Sequence, residues 1–244
     1  MELEKALYMI PVPISDTAIK DILPDGNISL IKGIKHFIVE NVRTARRFLK
    51  KSDPSIDISQ ITFSTLNGHT PENEISAYLT PLRNGEPMGL MSEAGCPGVA
   101  DPGASVVRIA QAEGLRVIPL VGPSSILMSL MASGLNGQKF AFHGYLPVEQ
   151  KDREKTIRDL ELQSRKMDMT QLFIETPYRN EKMMESLLKN LGGETLLCVA
   201  SDITSSENEK IITKPVKRWK SDGFKLEKVP TIFLFYCLNP GHRK

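Results

Sequence analysis

Met88-Gly89-Leu90-Met91-Ser92-Glu93-Ala94-Gly95-Cys96-Pro97-Gly98-Val99-Ala100-Asp101-Pro102-Gly103 is the stretch that decides the fold. Met88 to Met91 is a short apolar run behind the turn Asn84-Gly85, the pattern of a buried strand. From Ser92 to Gly103 there are three glycines and two prolines, and a helical pattern follows from Ala104 to Glu113, with Gly114 in position to close it. Strand, glycine-rich loop and helix in that order form the ligand-binding turn of an open α/β sheet. The spacing is neither the dinucleotide fingerprint nor a P-loop, and residues 84–107 contain no Lys or Arg. A polyphosphate would find no cation here. Glu93 and Asp101 make the loop acidic, which suits ribose hydroxyls, amide-like edges or a positive charge. A plain connection, with Asp101 capping the next helix, also fits the same residues.

Outward from this loop, short β-rich runs alternate with amphipathic stretches, the order of parallel strands joined by crossover helices. Lys5 to Ile14 reads as a strand running into the extended Pro11-Val12-Pro13 segment, because proline fixes φ and restrains the residue before it. Phe37 to Glu40 reads as a strand and Val42 to Lys50 as a helix stopped by Asp53-Pro54. Leu115 to Leu120 is a further strand, and Ile126 to Ser133 a helix entered through Ser124-Ser125 and closed by Gly134. Beyond Gly144-Tyr145-Leu146-Pro147 come a charged helix, Lys151 to Lys166, and strands at Gln171 to Glu175, Leu196 to Ala200 and Thr231 to Cys237. The expectation is an α/β protein of two domains, residues 1–119 and 120–244, each a mostly parallel sheet flanked by helices.

The chain has 244 residues, 41% hydrophobic and 25% charged, within the globular range, so disorder, collagen and coiled coil are excluded. Its 31 basic and 29 acidic residues leave a net charge of +2, so any footprint for nucleic acid must be local. Three scattered cysteines, Cys96, Cys198 and Cys237, make no disulfide framework. Glu2 and Glu4 stand where a secretory leader would be basic, and the longest apolar run, Ile232 to Leu238, is too short to span a bilayer. These features predict a cytoplasmic protein with no membrane association. His36, His69, His143 and His242 lack metal-ligand spacing, and no metal is expected.

Four blocks in order carry a family resemblance: Leu90 to Pro97 with Asp101-Pro102-Gly103, then Pro119-Leu120-Val121-Gly122-Pro123-Ser124, and Gly144-Tyr145-Leu146-Pro147. They resemble the signature blocks of the tetrapyrrole methylase superfamily, in particular its ribosomal RNA small-subunit methyltransferase I branch, and the similarity runs from Leu7 to about Phe235. The resemblance implies a homodimer of two-domain chains with S-adenosylmethionine in the cleft between the domains, and transfer of methyl to a cytidine 2′-hydroxyl in RNA of the small ribosomal subunit. The cofactor positions it implies are Ile14, Ala94, Gly95, Cys96, Val99, Ala100, Asp101, Ser124 and Ser125, with Glu175, Ala200 and Thr231 at the ends of later strands. Small residues let backbone approach adenine and ribose, and the missing basic side chains spare a sulfonium from repulsion. Cys96 reads as a small apolar wall, since no activating histidine accompanies it.

The sequence departs from that pattern near the expected substrate. The first loop reads Pro13-Ile14-Ser15-Asp16 where the branch has Pro-Ile-Gly-Asn, and Glu40-Asn41-Val42-Arg43 keeps only the ends of Glu-Asp-Thr-Arg. Asn73-Glu74 stands for a His-Asn-Glu block, and Asp202-Ile203-Thr204-Ser205 lacks the family lysine. Methyl transfer from a sulfonium depends mainly on alignment, yet a ribose hydroxyl gains from a base or an orienting cation. Glu40, Arg43 and Glu74 are the catalytic candidates, although a helix-start charge pair and a first-turn acid also account for them. Tyr178 and Arg179 are candidates to stack on a base or grip a phosphate. Arg43 to Lys51 and Lys210 to Lys220, the latter around Trp219, are basic stretches open to RNA contact or to plain solvation. Two alternatives remain: methylation of a small, tetrapyrrole-like molecule, and a binding module that holds the cofactor without turnover.

Overall fold

A computed structural model describes residues 3–238; Glu2 and His242 lie outside the described residues. The chain divides into two compact units, Met1–Ser124 and Ser125–Lys244. In the first unit the order is β1 (Leu7–Ile10), α1 (Ile19–Ile22), α2 (Asp25–Gly33), β2 (His36–Val39), α3 (Val42–Ser52), β3 (Thr62–Thr65), α4 (Glu72–Tyr78), α5 (Thr80–Arg83), β4 (Met88–Met91), α6 (Gly103–Ala112) and β5 (Val117–Pro119). The strands form one sheet in the order β3-β2-β4-β1-β5, parallel throughout.

A parallel sheet is covered on both faces, so its strands are apolar at successive positions. Tyr8, Ile10, Phe37, Val39 and Met91 pack on one side, and Leu7, Met9, Ile38, Met88 and Leu90 on the other. Gly89, central in β4, is required by this packing: a Cβ there would lie 2.7 Å from both Ile10 Cδ1 and the Phe37 ring. α3 starts at the Asn41 cap, whose side chain accepts the Arg43 N–H, and buries Ala45, Phe48 and Leu49. α6 ends as its sequence predicts, with Gly114 at φ +68° and the Leu115 N–H returning to the Ala110 carbonyl.

The second unit runs α7 (Ser125–Ser133), β6 (Phe140–Tyr145), α8 (Gln150–Met167), β7 (Thr170–Glu175), α9 (Asn180–Asn190), β8 (Leu196–Ser201), β9 (Lys210–Pro215), α10 (Val216–Asp222) and β10 (Thr231–Tyr236). Its sheet has the order β6-β7-β10-β8-β9. Here the expectation of a mostly parallel sheet needs correction: β6 and β7 are parallel, but β7-β10, β10-β8 and β8-β9 are antiparallel. The short turn after β8 leaves no room for a crossover helix, so β9 returns as a hairpin, and β10 threads between β7 and β8 against both. The α/β class is retained. Phe173 stacks on Phe233 at 5.7 Å in the core under α8 and α9, while Leu172, Cys198, Ile232 and Leu234 face Leu130 of α7. No helix among the described residues is long and apolar enough to cross a membrane.

Candidate functional site

Because every strand of the first sheet is parallel, the loops after β1, β2, β4 and β5 emerge along one edge, the carboxyl edge where such sheets take ligands. Three of these loops are locked together. Val12 and Gly95 exchange backbone hydrogen bonds of 3.0 and 3.1 Å, which ties the proline-rich loop to the glycine-rich one. Gly122 sits against Pro11, where a Cβ would come within 2.2 Å of the proline ring, and Asn27 donates to the Val121 carbonyl at 2.7 Å. Gly95 has φ +72°, and a Cβ on it would face the Pro123 carbonyl and Ile14. The structure therefore brings Ile14, Gly95 and Cys96 of the expected cofactor set together beside Pro123, one residue from Ser124. The Cys96 thiol donates to the Pro123 carbonyl at 3.3 Å, and burial raises its pKa, which suits a wall and not a nucleophile.

Asp101 braces the loop from within. Its carboxylate accepts the N–H groups of Gly98, at 2.8 Å, and Gly103, at 2.7 Å, so it shapes the turn ahead of α6. Burial raises the Asp101 pKa, opposed by those two bonds. Ala100 takes φ +59°, a conformation that L side chains rarely adopt, in a loop so constrained. Ala94 and Val99 are exposed on it.

Beside the glycine-rich loop lies a pocket of about 370 Å³, walled by Pro13, Glu40, Thr44, Arg47, Ser92 and Glu93 among others. Glu40 accepts the Glu93 N–H at 3.0 Å, and the Glu93 carboxylate accepts the Thr44 hydroxyl. Burial pushes the Glu40 pKa up; the Glu93 N–H opposes this, and the Asp101 and Glu93 carboxylates add to it. Of the three catalytic candidates, Glu40 lines this pocket. Arg43 points from the exposed side of α3, and Glu74 is exposed on α4; neither is among the lining residues. Sequence reading missed Thr44, and it counted Lys51 only within the basic stretch 43–51; Lys51 is paired with Asp16 at 3.0 Å. The signal was present: Thr44, Phe48 and Lys51 share a helical face with Asn41.

In the second unit Glu175 closes β7, with its side chain only 3% exposed and Arg179 at 2.6 Å. It also accepts the Thr176 N–H. Thr231 pairs with both Glu175 and Ser201, Ala200 lies opposite Ile232, and Ser125 begins α7. Thr231 also accepts a hydrogen bond from Asn180. Tyr178 is 82% exposed with the Lys228 ammonium 6.0 Å from its ring centre. The basic stretch around Trp219 divides between β9 and α10, and the indole is buried, donating to the Leu197 carbonyl. Trp219 is thus a core residue. Among the described residues, no group of three or more His, Cys, Asp and Glu could hold a metal.

The geometry defines a class: a two-unit α/β protein with a rigid, acidic, glycine-rich loop at the carboxyl edge of a parallel sheet. Solved structures with this fold include the methyltransferase CobJ, at TM-score 0.62 and 15% identity over 98% of this chain and 96% of that one. The uroporphyrin-III C-methyltransferase of Thermus thermophilus, solved in complex with S-adenyl homocysteine, matches at TM-score 0.58 and 14% identity, covering 95% and 97%. No family model matches the chain. Among curated sequences, the ribosomal RNA small subunit methyltransferase I of Vibrio cholerae is 30% identical over 82% of this chain and 65% of its own length. That of Mesorhizobium japonicum is 28% identical over 99% of this chain and 78% of its own. The chain thus spans 65% of the Vibrio cholerae relative's length. The chain is thus similar in sequence to small-subunit ribosomal RNA methyltransferases I and shares its fold with solved methyltransferases.

Proposed function

We propose that the chain is an S-adenosylmethionine-dependent methyltransferase acting on RNA, with a 2′-hydroxyl of small-subunit ribosomal RNA as the methyl acceptor. The observation that carries this reading is the acidic loop edge. Glu40, Glu93 and Asp101 crowd one another at the ends of β2 and β4, no Lys or Arg occurs in residues 84–107, and Glu40 is left with a raised pKa. Such a cluster favours a ligand that carries positive charge, and similarity to ribosomal RNA methyltransferases favours RNA over a tetrapyrrole-like acceptor.

The residues present fit the cofactor. Ile14, Ala94, Gly95, Cys96, Val99, Ala100, Asp101 and Ser124 would hold it through small side chains and exposed backbone, and Asp101 would keep the loop in shape. When bound, S-adenosylmethionine supplies a methyl group on a sulfonium. In the adjoining pocket, Glu40 is the group best placed to accept a hydroxyl proton, because a raised pKa makes it the stronger base. Arg47 and Lys51, on the wall formed by α3, would orient an acceptor bearing phosphate. We also infer a cytoplasmic homodimer, on the resemblance to the family.

The test is incubation with methyl-tritiated S-adenosylmethionine and small ribosomal subunits, followed by separation of RNA from low-mass products. Label in RNA, reduced at least tenfold by Glu40→Gln, is the expected result. Label only in the low-mass fraction would sink the RNA reading, and none in either fraction would sink the enzyme.

A further inference from the structure

In the second unit, α8 and α9 lie side by side over a groove of about 500 Å³ whose lining includes Val148, Arg153, Glu175, Arg179, Lys182 and Lys189. Arg153 is 8% exposed, yet both of its partners are neutral. Its Nε donates to Ser186 Oγ at 3.1 Å and its Nη1 to the Val148 carbonyl at 2.6 Å. The other cations differ: Arg179 is held by Glu175 at 2.6 Å and Lys189 by Glu154 at 2.9 Å. Among the described residues no carboxylate lies within ion-pair distance of Arg153. A guanidinium cannot shed its proton, so Arg153 keeps its charge among neutral partners, and an anion entering the groove would supply the missing counter-charge.

Two further features point to the same groove. The first turns of α8, 18 residues long, and α9, 11 residues long, border it through Gln150 and Lys182, and neither helix has a side-chain cap. No side chain therefore competes with an anion at their positive dipole ends. Glu149 and Glu185 are on the rim, both exposed and screened by water.

We propose that this groove binds a phosphate group, with Arg153 as the buried anchor and Lys182 at the rim, and that the phosphate is a phosphodiester of the RNA substrate. The source rests on the RNA reading above; the anion chemistry does not. The experiment measures binding of a small-subunit ribosomal RNA transcript against KCl concentration for wild type, Arg153→Gln, Arg153→Lys and Lys182→Gln. S-adenosylhomocysteine titration of each protein checks that the first unit is intact. Arg153→Gln should weaken RNA binding about tenfold and reduce the salt slope by about 0.7 to 0.9, with Arg153→Lys restoring most of both. Unchanged affinity and slope in Arg153→Gln would overturn the proposal. If Arg153→Gln fails to fold, the exposed Lys182→Gln decides: a reduced slope supports the groove and an unchanged one removes it. In a second arm, inorganic phosphate at constant ionic strength should raise the thermal midpoint of wild type but not of Arg153→Gln. Should wild type bind no RNA yet show that rise, the anion site stands and the RNA reading falls. Neither response would overturn both.

Discussion

Glu40 follows β2 and Glu175 ends β7, interior strands of the two sheets, yet their surroundings are opposite. Glu175 is buried against Arg179 and takes the Thr176 N–H, so its charge is balanced within the fold. Glu40 has one backbone N–H, two neighbouring carboxylates and a raised pKa. The difference separates a carboxylate whose charge is balanced by a cation from one whose charge is not. A balanced acid contributes stability and little binding, whereas an unbalanced one costs stability that a cationic ligand recovers.

The sharpest way to break this contrast is to neutralise Glu175. Glu175→Gln should cost about 3 kcal/mol in urea unfolding, because it strands the Arg179 guanidinium at the end of β7. A loss under about 1 kcal/mol would place Glu175 in the same class as Glu40. Next comes a steric test of the first unit. Gly122→Ala pushes a methyl into the Pro11 ring and should cost about 2 kcal/mol, together with the joined loops after β1 and β5. If the variant is as stable as wild type, those loops move apart freely and are not a rigid platform.

How much of this was visible beforehand depends on what each residue signals locally. The glycine-rich loop, the Asn41 helix start and the Gly114 and Gly134 helix ends were legible, because glycine, proline and capping residues act on their own backbone. The antiparallel half of the second sheet was not. Lys210–Pro215 exposes Lys210 and Ile212 and half-buries Lys214, so it reads as a basic run rather than an alternating strand, and the neighbour of β10 is fixed by tertiary packing. Arg153 was half legible: it lies at the head of the stripe Arg153, Ile157, Leu160 and Ser164, the buried face of α8. That stripe shows an arginine placed inward, but the lack of a carboxylate partner appears only in three dimensions. The acidity of the first loop was legible from composition, while the pairing of Glu40 with the Glu93 N–H across 53 positions was not.

A ligand test sharpens the contrast further. S-adenosylmethionine and S-adenosylhomocysteine differ in one positive charge at sulfur. Glu40→Gln should therefore weaken the first about fivefold, roughly 1 kcal/mol, and leave the second unchanged in calorimetric titration. Equal losses for both would make Glu40 a shape contact and not a charge. Glu175→Gln, compared at a temperature where it remains folded, should show no such discrimination.

The smallest effect is the pH dependence of stability. Glu40 has a folded pKa above its unfolded one, chiefly through burial, so between the two values the native state holds more protons than the unfolded state. Its contribution to stability is therefore complete below the ordinary carboxylate range and is lost as pH rises through the raised value. Asp101 shifts in the same direction by burial, so some of this slope survives without Glu40. Thermal midpoints of wild type and Glu40→Gln, followed from about pH 4 to about pH 7, should diverge in favour of the variant as pH rises. Saturating S-adenosylmethionine should close that gap, since a sulfonium beside Glu40 stabilises the ionised carboxylate. Parallel curves without ligand would mean that water already solvates Glu40 in the native state, and the contrast with Glu175 would then reduce to the presence of Arg179 alone.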